Sequence, residues 1–144
     1  MEINKQQYLK LLVVGGSGFI GQHVVKKALK KGFETTVLSK NDCNANDRLE
    51  GVVYLSADIS NKEVLITQLK GRLFDYVVNL GGYVNHKNYF DDGKKIYDVH
   101  FSGVKNLVDC LEKSEIKGFI QIGSSDEYGE NLAPQNENQR EAPF

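Results

Sequence analysis

The sequence predicts an α/β protein, a doubly wound parallel sheet of about five strands with helices on both faces. Two observations predict this class. Short apolar runs alternate with amphipathic stretches along the chain, which indicates strands joined by helical crossovers. A glycine-rich segment also lies directly between the first apolar run and the first amphipathic stretch. The length of 144 residues suits a single domain.

The first predicted unit is a strand over Lys10–Val14 and a helix over Ile20–Lys31. Leu11 to Val14 form a continuous apolar run. The helix carries its apolar residues at helical spacing, and Gly32 is a typical residue after a helix end. A second strand is predicted over Glu34–Leu38 because it contains β-branched residues.

The remaining elements follow the same alternation. A third strand is predicted over Val52–Leu55, and Ser60 or Asn61 is expected to cap a helix that runs to Lys70. The later predicted elements are a strand over Phe74–Leu80, a long helix over Lys94–Ser114 and a fifth strand over Phe119–Ile122. Residues 1–125 are therefore expected to form the domain. Residues 126–144, which contain both prolines and no apolar periodicity, are expected to form a polar loop.

The composition argues against a nucleic-acid-binding, membrane-spanning or secreted protein. The chain is 40% hydrophobic and 26% charged, with a net charge of −1, which gives no basic surface for nucleic acid or an anionic membrane. Apolar runs are too short to span a bilayer, and the first residues do not resemble a secretion signal. Cys43 and Cys110 are far apart and outside metal-type spacing. We expect a cytoplasmic protein with two reduced thiols and no metal site.

The glycine-rich turn predicts a phosphate-binding site. A tight strand-to-helix turn requires glycine, and bare backbone amides at a helix N-terminus attract an anion. Placed between a buried strand and a helix, this pattern is typical of dinucleotide binding. The candidate cofactor-binding residues here are Gly15, Ser17, Gly18, Phe19, Ile20 and Gly21.

Ser39 and Lys40 close the second predicted strand, where an acidic residue would bind both ribose hydroxyls of an adenine nucleotide. A hydroxyl and a cation suit a 2′-phosphate instead, which favours NADP over NAD. The alternatives are a solvated strand end without cofactor contact, or a ribose contact from Asn41 or Asp42.

Two further strand ends carry candidate cofactor contacts. Asp58 could accept from the adenine amino group while Ile59 packs on the ring; the alternative is that Asp58 only tightens a turn. Leu80, Gly81 and Gly82 could let the backbone pass close to the nicotinamide ribose; the alternative is a simple loop.

Polar residues that could take part in catalysis follow the fifth predicted strand. Ser124 could hydrogen-bond a substrate alcohol or ketone, and Asp126 or Glu127 could act as general acid or base. Serine, aspartate and glycine are also common in turns, so the segment alone is weak. His23, His86 and His100 do not cluster at metal spacing and are interpreted as surface or packed residues.

Together these motifs resemble the NAD-dependent epimerase/dehydratase family of the extended short-chain dehydrogenase/reductase superfamily, which has a Rossmann-like fold. Gly15, Gly18 and Gly21 match its G-x-x-G-x-x-G motif, and Asp58-Ile59 matches its adenine-binding pair. The segment from Ser124 to Gly129 matches the family segment in which the catalytic hydroxyl falls on Ser124 and a dehydratase acid on Asp126. Glu137 and Pro143 resemble the loop that leads to the family's catalytic tyrosine.

The chain departs from the family in three places. Gly81-Gly82 replaces the usual Ala-Ala, and His100 stands where the long helix usually has asparagine. The Tyr-x-x-x-Lys pair is not found in a matching place; Tyr83 precedes Lys87 by four, but after the fourth strand. We therefore expect an N-terminal portion of a longer enzyme, truncated before its substrate domain and inactive alone.

The resemblance implies an enzyme that transforms a nucleotide-linked sugar through reversible hydride transfer to NAD or NADP, as an epimerase, dehydratase or reductase. It also implies a possible homodimer through the long helix. Two alternatives remain open. The first is a non-catalytic NAD(P)-binding regulator or sensor, and the second is a methyltransferase that uses S-adenosylmethionine, which is disfavoured because that cofactor has no pyrophosphate.

Overall fold

A five-stranded parallel sheet forms the centre of the molecule. The computed structural model describes residues 8–83 and 93–142. The sheet has the strand order β3-β2-β1-β4-β5. Its strands are β1 (Lys10–Val14), β2 (Glu34–Ser39), β3 (Val52–Ser56), β4 (Tyr76–Asn79) and β5 (Gly118–Gln121). In the central register, Val13 lies opposite Val37 on one side and Val78 on the other. The predicted parallel sheet is confirmed.

Helices cover both faces of the sheet. They are α1 (Phe19–Lys30), α2 (Lys62–Leu69), α3 (Lys94–Tyr97) and α4 (Val104–Cys110), and a π-helical segment (Asp98–Gly103) joins α3 to α4. We call residues 94–110 the long helix. Short 3₁₀ turns lie at Ala45–Asp47, Lys113–Glu115 and Ser125–Tyr128. The side chain of Asn61 accepts a hydrogen bond from Val64 N, so Asn61, and not Ser60, caps α2.

Alternate residues of β1 face two separate cores. Leu12 and Val14 belong to the core beneath α2 and α4, which includes Leu65 and Leu107. Leu11 and Val13 belong to the core beneath α1, with Val25. Because side chains alternate along a strand, one apolar run supplies both faces of a sheet that is covered on both sides. This explains why the first strand is a continuous apolar run.

The structure corrects several predicted boundaries. The long helix was expected to reach Ser114, but it ends at Cys110 because Leu111 adopts an extended conformation. Ser114 instead lies in a 3₁₀ turn. β4 is shorter than predicted, since Phe74 and Leu80 lie outside its ladder. Residues 129–142 contain no helix or strand, whereas residues 126–128 of the segment predicted as a loop belong to a 3₁₀ turn.

The strand order reverses beside β1. β2 and β3 lie on one side of it, and β4 and β5 lie on the other. In an open parallel sheet, the crevice at such a switch point, beyond the carboxyl ends of the strands, is where ligands bind. Here the crevice lies between the segments that follow Val14 and Asn79. Within the described ranges, no helix is both long and apolar enough to cross a membrane.

Candidate functional site: a dinucleotide cleft

The turn after β1 is built on contacts that exclude side chains. Gly15 has φ +75, a conformation that favours glycine, and its amide donates to Leu38 O at 2.7 Å. A Cβ on Gly15 would lie 3.0 Å from Gly81 N, and one on Gly16 would lie 2.8 Å from the side chain of Val37. These contacts bring the turn close to both β2 and the segment after β4.

The helix α1 packs directly on this turn. A Cβ on Gly21 would lie only 2.3 Å from Gly15 O, so any larger residue would push α1 away from the turn. Gly18 is the N-cap of α1 in an extended conformation, and it brings no side chain to bond the amides of the first helical turn. These amides and the positive end of the helix dipole are therefore left to bind an anion.

A cleft of about 570 Å³ opens at the switch point. It brings together ten of the residues predicted from the sequence to bind a cofactor, namely Gly15, Ser17, Gly18, Ser39, Lys40, Asp58, Ile59, Leu80, Gly81 and Gly82. They come from the ends of four different segments of the chain. The predicted contacts after β1, β2, β3 and β4 thus lie around one cavity.

At one end of the cleft, Ser39 and Ser17 are joined by hydrogen bonds. Ser17 Oγ donates to Ser39 Oγ at 2.7 Å, and Ser17 N donates to the same oxygen at 3.4 Å. Ser39 is buried. Its hydroxyl therefore links the glycine turn to the end of β2.

Lys40 and Asp58 form an ion pair beside this contact. Lys40 Nζ lies 2.8 Å from Asp58 Oδ2, while Asp58 Oδ1 accepts from the amide and hydroxyl of Ser60 at 2.9 and 2.7 Å. Burial opposes ionisation of Asp58, but the hydrogen bonds from Lys40 and Ser60 lower its pKa below the usual value. The same hydrogen bond and charge raise the pKa of Lys40. Asp58 does tighten a turn, and its carboxylate also lines the cleft.

The segment after β4 is held by a buried amide that sequence reasoning missed. Asn79 is completely buried; its Oδ1 accepts from Gly81 N at 3.0 Å, and its Nδ2 donates to Gln121 Oε1 at 2.7 Å. A Cβ on Gly81 would lie 3.0 Å from Asn79 Oδ1. The signal in the sequence was a single amide at the end of an otherwise apolar or aromatic strand.

The long helix also lines the cleft, which the sequence analysis did not predict. Lys95, Asp98 and Val99 line the cleft together with Tyr83, and Lys95 Nζ lies 4.8 Å from the centre of the Tyr83 ring. Asp98 and Val99 follow Lys95 by three and four residues, a spacing that places all three on one face of a helix and could have indicated this surface. A Cβ on Gly103 would lie 2.8 Å from the Ile59 side chain, so this glycine lets the helix approach the end of β3.

Other predicted residues do not line this cleft. Phe19 and Ile20 are 85% and 58% exposed, and buried Gly21 serves the packing of α1 on the turn. Ser124 caps a 3₁₀ turn by accepting from Asp126 N, and Glu127 lies in the same turn. Ser124, Asp126 and Glu127 are exposed and are not brought to the cavity.

The histidines and cysteines have distinct surroundings. His23 packs edge-on against the Phe19 ring, whereas His100 contacts the backbone of Tyr83. Cys43 and Cys110 are free thiols, and burial raises the pKa of Cys110. His86, Lys87 and Pro143 lie outside the described residues.

The residues of the cleft fit a dinucleotide. The glycine turn and the uncapped first turn of α1 offer backbone N–H groups, which suit a diphosphate. A hydroxyl, a cation and a carboxylate lie at the end formed by Ser39, Lys40 and Asp58. Glycines line the opposite end, after β4, where backbone can approach a ligand closely.

Sequence comparison matches most of the chain to known proteins. The sequence profile of the NAD dependent epimerase/dehydratase family matches residues 11–144. A UDP-glucose 4-epimerase of Klebsiella pneumoniae is 28% identical over 131 residues, which cover 85% of this chain and 94% of that protein. A dTDP-D-glucose 4,6-dehydratase of Dictyostelium discoideum is 27% identical over 137 residues, which cover 89% of this chain and 32% of that protein.

A solved structure shares the fold. The UDP-glucose 4-epimerase of Thermus thermophilus in complex with NAD superposes with a TM-score of 0.79 at 24% identity, covering 94% of this chain and 45% of that one. This chain thus spans less than half the length of the dehydratase and of the solved epimerase. The glycine turn, the cleft at the switch point and the matched residues lead to one conclusion: the chain belongs to the NAD dependent epimerase/dehydratase family.

Proposed function

We propose that these 144 residues bind NAD or NADP and supply the cofactor-binding half of an enzyme that acts on a nucleotide-linked sugar. The observation that carries this proposal is the juxtaposition of the Gly15 turn, the bare N-cap at Gly18 and the ends of β2, β3 and β4 around one cleft. The diphosphate binds the amides that follow Gly18. Relatives named as epimerases and a dehydratase of UDP- and dTDP-sugars support the substrate class.

The adenosine half of the cofactor occupies the end of the cleft formed by β2 and β3. Asp58 accepts from the adenine amino group, and Ile59 supplies an apolar contact. Lys40 lies at the position that would face a ribose 2′-phosphate, which favours NADP. Its ion pair with Asp58 limits that preference, because the carboxylate repels the added phosphate. We therefore propose that the chain prefers NADP weakly and also binds NAD.

The nicotinamide half lies beside Gly81 and Gly82, where it supplies a site that accepts a hydride from a sugar carbon and returns it. Ser124 orients the reacting sugar oxygen, and Asp126 or Glu127 supplies a proton donor or acceptor. These side chains would have to move towards the cleft, or the substrate would have to extend to them. Within these 144 residues, no tyrosine in the place that matches the family motif is followed by lysine four residues later, so we propose that the chain by itself binds cofactor without turnover.

One alternative function has a specific observation in its favour. Ser124, Asp126 and Glu127 are exposed and do not line the cleft, an arrangement that a protein which binds NAD(P) without catalysis would also show. The two functions differ in what the rest of the protein contains. A tyrosine followed by lysine four residues later, in the sequence after Phe144, favours the enzyme, and a protein that binds the cofactor but lacks this pair favours the regulator.

Calorimetric titration tests the proposal directly. We expect the chain to bind NADPH and NADH, to bind ADP more weakly, and to give no heat with S-adenosylmethionine, which has no diphosphate. We also expect no conversion of UDP-glucose or dTDP-glucose by the isolated chain. Binding of S-adenosylmethionine in preference to the dinucleotides would contradict the proposal, and so would turnover of either sugar nucleotide by these 144 residues alone.

A further inference from the structure

His100 contacts the backbone of the segment that follows β4. Its Nε2 lies 3.1 Å from Tyr83 N and 3.2 Å from Tyr83 O. The ring also lies close to the preceding residue, since a Cβ on Gly82 would be 3.2 Å from His100 Cε1. One ring of the π-helical segment thus lies against both Gly82 and Tyr83, which line the cleft.

His100 Nε2 can hydrogen-bond the backbone of Tyr83 whether or not it carries a proton. An unprotonated Nε2 accepts from the amide of Tyr83, and a protonated Nε2 donates to the carbonyl of the same residue. The contact holds the backbone of Tyr83 against the long helix. The helix is itself attached to the end of β3, because Asn106 Nδ2 donates to Ile59 O at 3.1 Å.

The two attachments join the opposite ends of the cleft through the long helix. Asn106 holds the segment after β3, and His100 holds the segment after β4. The π-helical segment lies between α3 and α4 and ends at Gly103, whose close approach to Ile59 leaves no room for a side chain. Irregular turns of this kind inside helices are frequent at functional sites.

We propose that His100 is a positioning residue, which holds the Gly82–Tyr83 backbone in the conformation that receives the nicotinamide half of the cofactor. This inference rests on the proposed function, because it requires a dinucleotide in the cleft. It assigns His100 a role through Tyr83 and no direct contact with the cofactor. A bound nucleotide without the nicotinamide half is therefore insensitive to His100.

Substitutions at His100 test whether a polar atom is needed at the distance from Cβ at which histidine Nε2 lies. Histidine Nε2 lies three bonds from Cβ, and so do the amide oxygen and nitrogen of glutamine. The amide atoms of asparagine lie only two bonds from Cβ. We expect His100→Ala and His100→Asn to weaken NADH binding by roughly three- to tenfold, the loss of about one hydrogen bond. We expect His100→Gln to restore it to within about twofold. His23→Ala on α1 is the matched control, and we expect it to bind NADH as the parent chain does.

ADP binding distinguishes an effect on the nicotinamide end of the cleft from a general loss of folded structure. ADP spans the adenosine and diphosphate sites only, so its affinity should be unchanged in all four variants. Equal losses of NADH and ADP binding in His100→Ala would overturn the positioning role. Unchanged NADH binding in that variant would also overturn it, and would leave the proposed function intact. If the parent chain binds neither NADH nor ADP, both proposals fall together.

Amide hydrogen exchange provides a readout without any cofactor. In the parent chain and in His100→Gln, the Tyr83 amide is expected to be protected by the side chain at position 100. In His100→Ala its exchange should accelerate by roughly the same three- to tenfold, while the amides of β1 remain unchanged. Identical exchange at Tyr83 in the parent chain and in His100→Ala would contradict the proposed contact.

Discussion

Lys40 and Asp58 form an ion pair, with Lys40 Nζ 2.8 Å from Asp58 Oδ2, although they follow different strands of the sheet. Lys40 lies at the end of β2, and Asp58 follows β3. The pair is partly exposed, so its contribution to stability is small, about 1 kcal/mol or less. Its importance is local, because the carboxylate partly neutralises the cation that would favour NADP.

Substitution of Lys40 should lower the ratio of NADPH to NADH affinity, and substitution of Asp58 should raise it. We expect Lys40→Ala to weaken NADPH binding by roughly tenfold with little effect on NADH, because it removes the cation that we propose faces the 2′-phosphate. Asp58→Asn keeps an oxygen that accepts from adenine and removes the negative charge, so the ratio of NADPH to NADH affinity should rise. Calorimetric titration of both cofactors measures the ratio. An unchanged ratio in both variants would contradict the assignment.

The contact between Gly21 and Gly15 should control the stability of the domain. In Gly21→Ala the new Cβ would lie 2.3 Å from Gly15 O and 2.6 Å from Gly16 Cα, so α1 must shift. Overpacking of this kind costs about 1–3 kcal/mol of unfolding free energy. Gly123→Ala is the control, because its Cβ would make only ordinary contacts, 3.7 Å from Glu127 Oε2.

Urea unfolding of the two alanine variants compares these positions. The control variant should stay within about 0.5 kcal/mol of the parent chain. Equal stability of Gly21→Ala and Gly123→Ala would show that the packing of α1 on the turn is looser than the structure indicates.

Asn79 should be the most sensitive polar residue beneath the cleft. Its replacement by alanine leaves the partly buried amide of Gly81 without its acceptor, which costs about 1–3 kcal/mol. Gln121→Ala is a milder change, since it removes one partner of Asn79 at an exposed position and keeps the bond to Gly81. Chemical unfolding should therefore rank Asn79→Ala below Gln121→Ala in stability. The reverse order would contradict the role given to this buried amide.

Stability at acid pH should depend on Asp109. Hydrogen bonds from Lys105 and Lys62, at 2.7 and 3.1 Å, lower its pKa to about 2. Because the folded pKa lies below the unfolded value of about 3.9, this contribution is complete above that value and is lost as pH falls towards 2. Melting temperatures of the parent chain and Asp109→Asn should thus differ at neutral pH and converge near pH 2.

Asp42→Asn, in the loop after β2, controls for the change of one unit in net charge. A difference between the parent chain and Asp109→Asn that stays constant between pH 6 and pH 2 would contradict the paired carboxylate.

The sequence was sufficient to predict the parallel sheet and ten of the residues that line the cleft. Strands and the glycine turn are encoded locally, by apolar runs such as Leu11–Val14 and by residue types at fixed spacing. The ends of parallel strands must then meet at one edge of the sheet. For this reason Asp58 and Gly81 could be assigned to one site although they are distant in sequence.

Contacts between distant segments could not be predicted. Nothing around Asn79 indicates that its amide bonds both Gly81 and Gln121, and the ion pair of Lys40 with Asp58 requires the register of β2 and β3. The end of the long helix at Cys110 was also missed, because apolar spacing continues to Leu111. Such features depend on tertiary packing, which overrides local propensity.

Gly18 provides the most direct test of the central claim that a diphosphate binds the amides at the start of α1. The residue has an extended backbone, and a Cβ there would meet only Gly15 O, at 3.2 Å, so Gly18→Val should fold with the parent circular dichroism spectrum. Its side chain would cover the helix N-terminus. We predict that NADPH and NADH affinities fall by at least about tenfold in this folded variant. Unchanged nucleotide affinity in folded Gly18→Val would contradict the account.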